Sequence, residues 1–412
     1  MAYGNFEQFI RNMTRVMGSV NTKLQRDLTL RTRVARRFSM TEVAELMAVD
    51  VTYLARAANE EPEFPEGEKI GRERTFSPSE IMLIRSIMGS NKAARRQHLH
   101  WRKPGEPVKI VTFGAQKGGT GKSLSAAHFA QYVNLFYGLR VGIIDADPQA
   151  TVSLYFADES LPLFQPDTPT LADFMGVDDL GAEALNTPTP DALNAIWQKT
   201  PWPGIKLIPS GANIQNGDIS LFFLSRQSQI PVYRILKEAI KRWDEGHGAK
   251  TSAADLRRAD GSFNVNAYTQ DLKETVDVIV IDQQPSLTLM QLNGLIAADT
   301  VVIPQTMKGF DLATLSTYVS NIGEYLEFIM GFEADIEIGS GEHVVLPTIV
   351  QEQNNQETDQ ILDLYRRAPR EILQVWYNRS DAIANASEEY KSIYEYLPPK
   401  SRRTSARAFM AN

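Results

Sequence analysis

Cysteine is absent from all 412 residues. Its absence excludes disulfides, thiolate zinc sites and iron–sulfur ligation, and suits the cytosol. Long apolar runs are missing too: none is long enough to span a bilayer, and the opening MAYGNFEQFIRNMTRVMG has no signal-peptide core. The expectation is a cytoplasmic protein with no membrane partner. No internal repeat is visible. What is present is ordinary for a globular chain, with 43% hydrophobic and 23% charged residues. At 412 residues the chain is too long for one simple core, so two or three domains are expected.

The net charge of −7 is unevenly spread. Residues 1–107 hold 18 Lys and Arg against 13 Asp and Glu, whereas the rest hold 25 against 37. A basic N-terminal arm on an acidic protein points to nucleic acid at that end, or to a solvated helical surface. Residues 1–38 read as one basic helix, a first unit with Phe6, Phe9, Ile10, Met13, Val16 and Met17 at helical spacing. That stripe either packs on its own domain or joins a partner copy.

Residues 39–107 read as a second unit with its linker. Ser39 or Thr41 caps a helix whose Val43, Ala44, Leu46 and Met47 face inward; a break at Val49–Asp50 leads to a second helix, about Val51–Asn59. Helix, tight turn, helix is the helix-turn-helix pattern. GEKIGRERTF then forms a small hairpin carrying Lys69, Arg72 and Arg74, and SPSEIMLIRSIM starts another helix, with Ser77 as cap and Pro78 in the first turn. This stretch resembles the winged helix-turn-helix of MerR-type regulators and of the larger ParA-type proteins. Thr52, Tyr53 and Arg56 on the second helix, with Arg72 and Arg74 on the wing, are the candidate operator-DNA contacts.

From Val108 apolar strands alternate with helices, so residues 108–412 read as a third, α/β unit built on a doubly wound, mostly parallel sheet. The expected strands are 108–113, 140–146, 205–210, 276–282, 299–304, 343–350 and 372–377. The spans 154–204 and 241–275 look like surface insertions with no assignable chemistry.

The loop QKGGTGKS joins the first of these strands to a helix beginning near Lys122. It is a P-loop: glycines let backbone N–H groups approach phosphate oxygens, Lys122 reaches the β- and γ-phosphates, and the Ser123 hydroxyl holds Mg²⁺. Gln116 stands where the usual motif has its first Gly. VDVIVIDQQPS ends a strand in Asp282, the second carboxylate such a site uses to hold the Mg²⁺ water shell. VGIIDADPQ puts Asp145 and Asp147 at another strand's end, facing the same way, where a carboxylate can orient an attacking water.

The K-G-G-x-G-K-[ST] loop, the D-x-D-P-Q segment and the VID-x-x-P-S strand together resemble ParA-type partition ATPases, relatives of MinD and the nitrogenase iron protein. The resemblance covers about residues 108–407 and includes LNGLIAADTVVIP and RSDAIANASEEYKSIYEYLPPKSR. With the helix-turn-helix in front, it is to the long type-Ia or RepA-like form. It implies a Mg²⁺-dependent ATPase using ATP and ADP, whose nucleotide is held by Lys117, Gly118, Gly119, Thr120, Gly121, Lys122, Ser123 and Leu124. It implies that Lys117 reaches across a nucleotide-sandwiched homodimer to the partner's phosphates. It also implies that Asp147 positions the hydrolytic water, with Asp145 near the metal held by Ser123 and Asp282. A ParB-type partner would stimulate turnover, the chain would associate with the nucleoid through non-specific DNA, and the head would repress its own operon. The basic group Arg402, Arg403 and Arg407 matches where the family keeps its non-specific DNA surface. Gln283 and Gln284 stand where the family often has Cys-Pro or Pro-Pro. The branches that need cysteine, and MinD with its terminal membrane helix, are set apart. A DNA-binding regulator switched by nucleotide, with incidental hydrolysis, is the other reading.

Overall fold

Local signals along the chain are consistent from one element to the next. The computed structural model describes the chain except residues 1–3, 30–35, 92–96, 159, 164, 166, 181–183, 212, 228–230, 332–335, 337, 340, 352, 354, 390 and 397–412. Helix α1 runs Gly4–Thr29 and leaves Phe6, Phe9, Ile10 and Met13 exposed. It is shorter than the expected 1–38 helix: Phe38–Ser39 is already strand β1, because Phe38 pairs with Phe76 rather than continuing a helical stripe.

Ser39 caps α2 (Met40–Leu46) in a reciprocal capping box with Glu42. The chain turns at Ala48, in the left-handed region at φ 52°, and Asp50 caps α3 (Val51–Glu60). Strands β2 (Glu68–Ile70) and β3 (Glu73–Phe76) form the hairpin, and β1 completes a sheet in the order β1-β3-β2. Ser77 and Pro78 start α4 (Pro78–Gly89), as expected. Val43, Leu54, Phe76, Ile81 and Ile84 share the core of this region.

The α/β part follows with β4 (Lys109–Phe113), α5 (Lys122–Tyr137), β5 (Val141–Ala146), α6 (Thr151–Phe156), α7 (Leu171–Met175), α8 (Pro190–Ile196), β6 (Gln198–Lys199), β7 (Ile205–Ile208), α9 (Asn213–Gln227), α10 (Ile235–His247), α11 (Val265–Glu274), β8 (Val278–Gln283), α12 (Leu289–Ala297), β9 (Thr300–Thr306), α13 (Gly309–Met330), β10 (Val344–Thr348), α14 (Asn355–Arg367) and α15 (Asp381–Glu388). The sheet order is β10-β9-β4-β8-β5-β7-β6, and every neighbouring pair is parallel except β6 with β7. The central strands are buried on both faces: Val141, Ile143, Val278 and Val280 face one core, Ile144, Ile279 and Ile281 the other. Helices on both faces make the sheet doubly wound.

Two strand expectations change. Residues 372–377 form no continuous strand: the segment follows the β10 edge through separate contacts, with parallel bridges Val345 to Ile372 and Val350 to Asn378 and hydrogen bonds from Leu373 N to Val345 O and from Tyr377 N to Pro347 O. Strand β6 arises inside the 154–204 span, where a two-residue pairing carries no readable alternation.

Candidate nucleotide site

Register brings the chemistry together. Strands β4, β8 and β5 are neighbours; Phe113 pairs with Asp282, and Asp282 with Asp145. All three strands end at the same edge, where ligands of open α/β sheets sit. The P-loop leaves β4 there and enters α5 through Gly121, whose φ of 79° makes a side chain strained. A Cβ built on Gly118 or Gly119 meets nothing within 4 Å, so the loop is an open cradle.

Lys122 is buried at the centre. Its Nζ donates to Asp282 Oδ1 at 2.7 Å and lies 3.5 Å from Asp147 Oδ2. Burial opposes its charge, but Asp282, Asp147 and Asp145 more than offset that, and the ammonium is held above its ordinary value. Burial raises Asp282, partly countered by Lys122. Asp145 is pushed up to about 7, first by burial and then by Asp282. Its oxygens accept from Ser153 N, Ser153 Oγ and Asp147 N, so Asp145 shapes the turn that presents Asp147.

Buried oxygens of Gln116, Thr120, Asp282 and Gln283, among them Asp282 Oδ2 and Thr120 Oγ1, have no hydrogen-bond partner here. Buried polar atoms are normally paired, so these fit a missing polar ligand. Among the described residues no cluster of three His, Asp or Glu forms a metal cage. A cation that takes one carboxylate and fills its shell with phosphate and water, as Mg²⁺ does, matches that donor set. Ser123 stands beside the ammonium, its Oγ 3.3 Å from Lys122 Nζ. Gln283 and Gln284 fasten the loop after β8: they donate to Gln291 O and to Thr288 Oγ1 and Asp218 Oδ2.

Lys117 points away from this cluster. It pairs with Asp311 at the start of α13, which Thr306 also holds, while the next-door Phe310 is 92% exposed.

A cavity of about 300 Å³ opens beside Gly121, walled by Leu124, His128, Thr348, Ile349, Asn378 and Asp381. Sequence reading missed this wall, since it joins three distant segments without a motif. Thr348 Oγ1 donates to Thr120 O at 2.7 Å, and Ile349 is held in the left-handed region at φ 55°, a strained place for a β-branched residue. His128 ties α5 to the C-terminal segment: Nδ1 bonds Leu124 O at 2.8 Å, and Nε2 accepts from Ile393 N at 3.1 Å.

Burial lowers His128 to about 4. Its folded value lies below its unfolded one, so the unfolded chain binds the extra proton between them. The stability it contributes is complete above pH 6.5 and is lost as pH falls towards 4, on the order of 3 kcal/mol. Asp145 runs the other way, so the expected result is a difference: urea midpoints of the wild type fall relative to His128→Gln across that window. Parallel curves would remove the assignment.

At the head, Thr52 and Arg56 are exposed, and Tyr53 is half-buried with Arg56 Cζ 5.7 Å from its ring. Arg72 is exposed at the hairpin turn. Arg74 instead donates to Pro65 O and Glu66 O and lies over Phe64 and Phe76, so it fastens the hairpin. Arg402, Arg403 and Arg407 lie outside the described residues.

A family model described as the CobQ/CobB/MinD/ParA nucleotide binding domain matches residues 111–393, and the chain belongs to this family. Protein SopA of Escherichia coli is 26% identical to it over 315 residues, spanning 74% of this chain and 68% of SopA. A putative replication protein A of Sinorhizobium fredii is 24% identical over 369 residues, 88% of this chain and 80% of that protein. One from Rhizobium rhizogenes is 25% identical over 296 residues, 71% of this chain and 64% of that protein, so less than two thirds of its length is matched. A solved partition protein shares the fold with a TM-score of 0.59 at 17% identity, over 99% of both chains.

Proposed function

We propose that the chain is a DNA-partition ATPase of the cytoplasm, acting on the nucleoid. The observation that carries this is the buried Lys122–Asp282–Asp147 constellation under an open glycine cradle, beside buried oxygens of Asp282 and Thr120 that have no hydrogen-bond partner. Backbone N–H groups of Lys117 to Leu124 receive the phosphates, Lys122 turns from the carboxylates to the β- and γ-oxygens, and the base enters the cavity beside Gly121. Ser123 and Asp282, with Asp145 behind, would hold Mg²⁺, which would supply charge neutralisation on the phosphate oxygens. Asp147 orients the attacking water.

Lys117 leaves Asp311 to reach the phosphates of a second copy, so that ATP joins a homodimer whose face includes Phe310. The dimer binds DNA non-specifically through Arg402, Arg403 and Arg407, a ParB-type partner stimulates hydrolysis, and α3 with Arg72 reads operator DNA to repress the operon. The names of a relative, the chromosome partitioning protein ParA of Caulobacter vibrioides, 27% identical over 216 residues, and of the solved partition protein support this reading.

Sedimentation with a non-hydrolysable ATP analogue tests it. The wild type should shift to a dimer, while Lys117→Ala should bind the analogue within a few-fold yet stay monomeric. A Lys117→Ala dimer, or a wild type that remains monomeric, would end the crossing-lysine reading. The nucleotide-switched regulator is favoured by how firmly the head is fastened to the α/β part. It predicts no gain in turnover when partner and DNA are added together.

A further inference from the structure

The 241–275 span carried no motif, yet the structure builds part of it into a lock on the head. Arg257 follows a short 3₁₀ turn at Ala253–Leu256 and bridges antiparallel to Phe263. Its guanidinium grips Glu61, the C-cap of α3, with Nη1 to Oε2 at 2.9 Å and Nη2 to Oε1 at 2.8 Å. Nη2 also donates to Ile87 O at 2.9 Å, Nε to Ser90 Oγ at 3.1 Å and Nη1 to Gly261 O at 3.0 Å. Five N–H donors meet five acceptors on three segments. The side chains of Arg257 and Glu61 are only 13% and 17% exposed, so water screens the pair little.

An apolar seam backs this pair. Met82 and Ile87 of α4, Leu99 and Trp101 of the linker, and Leu256, Phe263 and Tyr268 form one buried cluster. Trp101 stacks on Tyr268 with centroids 6.3 Å apart, and Arg140 lies 4.0 Å from the Trp101 ring. Arg140 is fully buried and holds Asp277, so the seam ends on the residues just before β5 and β8. The head is therefore not tethered by its linker alone.

We propose that Arg257 is a positioning residue for operator reading: it fixes α3 on the α/β part, so that two copies joined by ATP present their α3 helices at one spacing. This rests on the partition-ATPase reading with its helix-turn-helix head. A two-fold operator is read by paired helices about one DNA turn, roughly 34 Å, apart. Heads on loose tethers gain local concentration but no register. With the lock in place, operator affinity follows the nucleotide state through geometry. A lysine at this position supplies charge but not the two-pronged grip.

The chain has no cysteine, so spin labels can be placed at Glu45→Cys on α2 and Glu371→Cys beside the sheet without competing sites. The wild type is expected to give one narrow distance distribution; Arg257→Ala, Arg257→Lys and Glu61→Ala each give a broad one. An equally narrow distribution in Arg257→Ala overturns the lock. The second readout is binding to the DNA upstream of the chain's own coding sequence against a random duplex, with and without an ATP analogue. Arg257→Ala should lose at least tenfold of the ATP-dependent gain on the upstream fragment while keeping ATP turnover and random-duplex binding. An undiminished gain overturns the positioning role. If the wild type does not prefer the upstream fragment, the operator reading fails, and the label distances still judge the lock.

Discussion

Lys122→Ala is expected to abolish ATP binding and also to destabilise the empty protein. Without the ammonium the β- and γ-oxygens lose their main cationic contact. The second effect comes from the folded chain itself. Lys122 lies between Asp282 and Asp147, with Asp145 close by, and Asp282 and Asp145 are completely buried. Removing one partner of a buried pair leaves uncompensated charge, at a typical cost of about 3–5 kcal/mol. The variant relieves part of this by protonation, since both buried carboxylates are already raised. Its stability should therefore recover as pH falls: a carboxylate whose folded pKa is raised is stabilising at low pH and loses that contribution as pH rises through its folded value. Calorimetric titration with ATP, plus urea unfolding at pH 5 and pH 8, checks both halves. Near-normal ATP affinity would remove Lys122 from the site; a wild-type unfolding midpoint at both pH values would remove it from the charge cluster.

Asp147→Ala is expected to separate binding from turnover. Asp147 sits just past β5, where its backbone N–H and carbonyl are fixed by Asp145 and Ser210 and its carboxylate meets both Lys122 and Gln149 N. It is rigidly placed, and no strand pairing depends on its side chain. Losing a group that orients the attacking water should lower hydrolysis by about 10²–10⁴-fold. ATP should still bind, more tightly if anything, because Lys122 is freed from one competing carboxylate. Single-turnover hydrolysis beside equilibrium ATP binding measures the split. Parental turnover would take the water-positioning role away from Asp147, and a parallel loss of binding would make it a structural residue of the cradle.

Sequence alone determined the elements of the site. Glycine spacing and the lysine of QKGGTGKS have one strong physical use, and an apolar strand ending in Asp282 marks its own position at the sheet edge. Ser77, and Ser39 beside its alternative Thr41, were readable as caps because capping is a local interaction of three or four residues, whereas Asp50 was read only as part of a break. The alternation of strands and helices likewise carried the doubly wound sheet. Tertiary structure decided the pairings that no local motif marks. Asp145 turned inward to Ser153, Lys117 folded onto Asp311, and Arg74 took backbone carbonyls, each through a partner that spacing does not reveal. The cavity wall joins Leu124, Thr348 and Asn378, and Arg257 meets Glu61 across 196 positions. Local chemistry has a period and a motif; a contact closed by the fold has neither, so only packing could show which charged residues face a ligand and which hold the molecule together.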